Sequence, residues 1–143
     1  MTGIVADVNF IGQLRVIGRI LEHSDVAEFW AELHLPIMPF EVLGLPPEAA
    51  DRLVWNRCQE LKLLLITGNR NNDGPDSLQA TIDDSNTPNS LPVITLGNAN
   101  RVIYSASFAV RVARDLLEYL LDLRDARQLL LGTGRLYLPR RTP

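Results

Sequence analysis

One cysteine and two histidines are the only thiol and imidazole groups the chain possesses. Cys58 alone excludes an intramolecular disulfide and any multi-cysteine zinc site. His23 and His34 are too few and too scattered for a zinc constellation. An excess of positive charge is also missing: 14 basic against 17 acidic side chains leave a formal net charge of −3. That excludes a generally basic protein that coats nucleic acid, though not a local basic rim. No apolar run approaches the roughly 18 residues that a membrane helix needs. The residues after Met1 lack the basic flank and long apolar run of a signal peptide. The cytoplasm is therefore the expected location. With 143 residues, 46% of them hydrophobic and 22% charged, the chain is expected to form one soluble domain spanning 1–143 with a proper core.

The organising stretch is Leu63 to Leu78. Leu63 to Ile66 is an uninterrupted aliphatic run, too short for a helix and suited to a strand buried on both faces. From Thr67 the residues become small, polar and acidic: Thr67, Gly68, Asn69, Arg70, Asn71, Asn72, Asp73, Gly74, Pro75 and Asp76. In open α/β sheets, ligands sit outside the carboxyl ends of the strands. A buried strand ending in carboxylates, carboxamides and a hydroxyl fits such a site, and equally fits a solvated loop of turn formers.

Other segments fall in place around it. Gly3 to Val8 is a first strand, with Asp7 and Asn9 at its end as either a helix cap or part of a site. Phe10 to Glu22 has Phe10, Leu14, Ile17 and Leu21 at helical spacing. A second helix is expected after Ser24 as N-cap, with Val26, Phe29, Trp30 and Leu33 as its core side. Ile37 to Leu43, interrupted by Pro39, is an edge strand at best. A third helix is expected from Pro47 to about Lys62, burying Ala50, Leu53, Val54, Cys58 and Leu61. Asp51 lies about 100° round from Ala50, and position alone favours exposure. Ser77 to Asp84 is a short helix, Leu91 to Leu96 a second buried strand, and Arg135 to Leu138 a last strand. Between them a long helix begins at Val102 or Tyr104, with Ala109, Val112, Ala113, Leu116, Leu117, Leu120 and Leu121 at i, i+3, i+4 spacing. With right-handed crossovers this order predicts a three-layer α/β/α sandwich with a mainly parallel sheet.

These residues resemble those of small PIN-like proteins related to toxin-type PIN ribonucleases. The likeness lies in a strand ending in Asp7-x-Asn9, and in Asp51 opening a helix 16 positions before Thr67. Thr67 and Arg70 match the threonine of the family's Thr-x-Asp-x-Asp and the residue after its first aspartate. The resemblance covers Asp7 to about Leu96. It implies a Mg²⁺- or Mn²⁺-dependent nuclease that hydrolyses single-stranded RNA, with a cognate antitoxin protein as partner and a homodimer as its assembly. On the same resemblance, Asp7, Asp51, Asp73 and Asn69 would be catalytic, and Asp7, Asp51, Asp73 and Asp76 would ligate the metal. Asn9, Thr67, Arg70 and Arg15 would bind substrate phosphate.

The family chemistry has a physical basis, because clustered carboxylates repel one another and a hard cation with oxygen ligands offsets that repulsion. Asn69 and Asn71 depart from the pattern, since an amide oxygen brings no charge where the family carries aspartate. Asp73 or Asp76 can restore the charge; otherwise the chain is a catalytically weakened module acting through protein–protein contact. A third alternative is an unrelated α/β protein whose polar loops are only loops. Asn69-x-Asn71-x-Asp73-Gly74 also resembles the start of an EF-hand loop, but Ala80 stands where that loop needs its glutamate. No G-x-G-x-x-G follows Asp7, so a Rossmann dinucleotide site is excluded.

Overall fold

The computed structural model describes residues 1–68, 74, 77–125 and 129–140. Five strands form one sheet: β1 (Gly3–Ala6), β2 (Ile37–Met38), β3 (Leu63–Thr67), β4 (Val93–Leu96) and β5 (Arg135–Leu138), in the order β2-β1-β3-β4-β5. Every neighbouring pair is parallel, so β1, β3 and β4 lie side by side as the sequence predicts.

The period-two alternation of strand side chains divides the core into two. Ile4, Ala6, Leu64, Ile66, Ile94 and Leu96 face one way. They pack against α1 (Ile11–Glu22), α2 (Ala27–Leu33), α5 (Arg101–Tyr104) and α6 (Ala106–Arg124). Val5, Leu63, Leu65 and Val93 face the other way, against a 3₁₀ turn (Phe40–Leu43), α3 (Asp51–Leu61) and α4 (Leu78–Ser85). The result is three layers, α/β/α. Leu14, Ile17 and Leu21 of α1 are buried at the predicted spacing, as are Val112, Leu116 and Leu120 of α6. Gly18 lets α1 approach the edge strand, since a Cβ there would lie 2.8 Å from Ile37 Cδ1. Among the described residues no helix is long and apolar enough to cross a membrane.

Four local expectations are corrected. The second helix starts at Ala27 rather than after Ser24, whose hydroxyl instead donates to Leu21 O and accepts from Val26 N. Phe29 on that helix is 54% exposed and is not core. The predicted long helix is broken at Ser105, where an extended backbone ends α5 and the hydroxyl accepts from Phe108 N to start α6. The third helix begins at Asp51 instead of Pro47, because Pro46 to Ala49 form a separate turn closed by Ala49 N to Pro46 O.

The buried face of α3 is also rotated from the predicted one. Cys58 is buried as expected and Trp55 joins it, while Leu53 is 53% and Leu61 36% exposed. Turning the helix to bury the indole removes more apolar surface from water than burying Leu53 would. Asp51 stands one helical turn before Trp55 and two before Cys58, so the rotation carries it to the sheet side. Leu53→Gln is therefore expected to change stability by no more than about 0.5 kcal/mol in urea denaturation.

Candidate functional site

The sheet order places a switch point between β1 and β3, where chain connections leave in opposite directions and a crevice opens at the carboxyl ends. Asp7 is the first residue beyond β1, and its N–H donates to Ile66 O at 3.1 Å, continuing the ladder by one step. The register Ala6 to Ile66 thus places Asp7 beside Thr67, the last residue of β3. Parity decides the face. Asp7 is two positions after Val5, and Thr67 two after Leu65, so both point to the α3 and α4 side. The Thr67 hydroxyl donates to Asp7 Oδ2 at 2.9 Å, and Asn9 N donates to Oδ1 at 3.3 Å. Thr67 is 1% exposed, whereas Asp7 is half-buried.

Asp51 reaches the same place from α3, half-buried instead of exposed. Its Oδ2 accepts from Leu78 N at 3.0 Å, satisfying one of the N–H groups that the first turn of α4 leaves without an intrahelical partner. Ser77, the N-cap of α4, accepts from Ala80 N at 3.1 Å. Asp51→Ala is accordingly expected to cost about 1 kcal/mol, with Asp51→Asn, which keeps an acceptor oxygen, costing less by thermal melting.

Together these groups line a cleft of about 490 Å³. Asp7, Asn9, Asp51 and Thr67, all chosen from sequence, meet there. Arg15 does not; it lies on the exposed side of α1, away from the cleft lining. Asn69, Arg70, Asn71, Asp73 and Asp76 lie outside the described residues. Among the described residues no three His, Cys, Asp or Glu side chains gather into a group that could hold a metal ion.

Comparison with known proteins gives no match: no family model, no curated protein and no solved structure matches the chain. The geometry must carry the functional reading.

Sequence reasoning missed several lining residues. Gln13 enters from the first turn of α1, and Asn100 from the connection after β4, while Phe10, Phe40, Val54 and Leu78 supply apolar surface. Gln13 was legible in principle, since it lies one turn beyond Asn9 on the first helix. Asn100 was hidden by its neighbour. Asn98 has φ of 56°, so the carboxamide that directly follows Gly97 serves the turn and the next one serves the cleft. Phe40 was hidden by the expectation of an extended Ile37–Leu43, which only Ile37–Met38 fulfils.

Proposed function

We propose that the chain is a PIN-like, divalent-cation-dependent nuclease that hydrolyses phosphodiesters of single-stranded RNA. The observation that supports it is the arrival of Asp7 and Asp51, 44 positions apart in sequence, in one cleft at the carboxyl ends of β1 and β3. Their donors are all oxygen, the kind that Mg²⁺ and Mn²⁺ prefer, and Mg²⁺ needs only one or two direct carboxylates. Asp7 and Asp51 would hold the cation. When bound, it would supply a more acidic water and stabilise charge on the phosphodiester. The chain's own part is positional. Two hydrogen bonds, from Thr67 Oγ1 and Asn9 N, fix the Asp7 carboxylate, and the bond from Leu78 N fixes that of Asp51. A charged group held in place before substrate arrives costs no reorganisation during reaction.

A second reading has observations of its own. Asp51 already accepts from the first N–H of α4, and Ile103 and Tyr104 of α5, which follows the cleft residue Asn100, are 58% and 76% exposed. A catalytically weakened PIN-like module that binds a protein partner would use those features. The two are separated by incubating the purified chain with end-labelled single-stranded RNA and a Mn²⁺ series, with EDTA as control. Cleavage that rises with Mn²⁺ and disappears with EDTA supports the nuclease. Intact RNA at millimolar Mn²⁺ removes it and leaves the interaction module.

A further inference from the structure

The cleft is larger than a cation requires. An ion with six waters, each occupying about 30 Å³, fills roughly 200 Å³, against about 490 Å³ present. The remaining space has a definite chemistry. Asn9, Gln13 and Asn100 bring three carboxamides from the β1–α1 connection, α1 and the β4–α5 connection. Asn9 uses only its backbone N–H, and the side chain of Asn100, the N-cap residue of α5, makes no capping hydrogen bond. Among the described residues none of these three side chains has a hydrogen-bond partner. Phe40, Val54 and Leu78 add an apolar surface to the same cleft. None of the described lining residues is cationic, and each of the three carboxamides brings an acceptor as well as donors.

We infer that this part of the cleft seats one nucleobase of the RNA substrate, and that Gln13 and Asn100 read its edge. This rests on the nuclease proposed above and names what sets its sequence preference. A carboxamide presents a donor and an acceptor side by side, the pattern that base edges also carry, and so pairs with them in a bidentate manner. Unstacked bases of single-stranded RNA expose those edges and also offer a flat face to apolar side chains. Two carboxamides on separate elements select among bases, because a base with the wrong pattern leaves a donor or an acceptor unpaired in a partly enclosed site.

The test uses the ¹⁵N-labelled full chain titrated with the four ribonucleosides, without phosphate and without metal. The expected result is a shift of the Gln13 and Asn100 side-chain NH₂ resonances with one or two of the four. Gln13→Leu and Asn100→Leu should each weaken the preferred nucleoside by about tenfold, the discrimination typical of one bidentate contact, and flatten the preference. No shift at millimolar nucleoside, or equal affinity for all four that both variants retain, overturns the inference. If a variant does not fold, the ranking of the four nucleosides by the wild-type chain decides. The outcome is distinct from that of the nuclease test. Selective nucleoside binding without RNA cleavage keeps the base site and removes the nuclease, and cleavage with no nucleoside selectivity does the reverse.

Discussion

Asp7→Ala is expected to lower Mn²⁺-dependent RNA cleavage by at least about 100-fold. Residues that merely orient a metal ligand are worth about 10–100-fold, and removal of the ligand itself belongs at or above the top of that range. The stability cost should be modest in comparison. Asp7 accepts hydrogen bonds from Thr67 Oγ1 and Asn9 N, and typical bonds of this kind contribute about 1 kcal/mol each. Asn9 is exposed, so water replaces its partner, while the buried Thr67 hydroxyl bears most of the loss. A total of about 1–2 kcal/mol follows.

Asp7→Asn makes the test sharper. The amide keeps an oxygen for the Thr67 hydroxyl but removes the charge that a cation needs, and it relieves repulsion with Asp51 across the cleft. Activity should fall as far as in the alanine variant, with the melting temperature unchanged or raised. Cleavage that survives Asp7→Asn, together with a loss of about 1 kcal/mol in stability, would assign Asp7 a structural role only, through its bonds with Thr67 and Asn9. Asp7 and Asp51 must also be read together. Both carboxylates hold local structure, so activity and stability have to be measured on the same variants before a lost activity is credited to chemistry.

How far the sequence revealed this arrangement depended on the kind of signal. Strands such as Leu63–Thr67 and Val93–Leu96 were legible because a short apolar run closed by polar residues has few alternatives when both faces are buried. Asp7 and Thr67 followed from the same pattern, since strand ends determine where the next side chain points. Periodicity alone favoured exposure for Asp51, which is half-buried at the cleft. The rotation of α3 explains the difference: a stripe drawn through Leu53, Cys58 and Leu61 competes with one through Trp55 and Cys58, and tertiary packing chooses the latter. Asn100 and Phe40 carried no signal of comparable strength, because carboxamides and turn aromatics are common in any loop.

The buried face of α3 also carries the second large effect, which is on stability at high pH. Cys58 is 1% exposed among Trp55, Leu63 and Ile82, and burial pushes its thiol up to about 12 from an ordinary 9.0. In the unfolded chain the thiol ionises at its ordinary value, while in the fold it stays protonated until about 12. Between those values the unfolded state binds fewer protons, so stability falls as pH rises, at about 1.4 kcal/mol per pH unit for one group. Below about 9 the contribution is fully present; by about 12 it has gone, for a total on the order of 4 kcal/mol. Tyr119 acts in the same direction, its phenol also raised, chiefly by burial. Cys58→Ala separates the two. At neutral pH the variant should be the less stable, since it leaves a small cavity in the layer between α3 and β3. As pH climbs from about 9 the gap between the urea-unfolding free energies of wild type and variant should close at about 1.4 kcal/mol per unit, because only the wild type carries the titrating thiol. Parallel curves would mean that water reaches the thiol, and the buried face of α3 would then have to be redrawn, Asp51 with it.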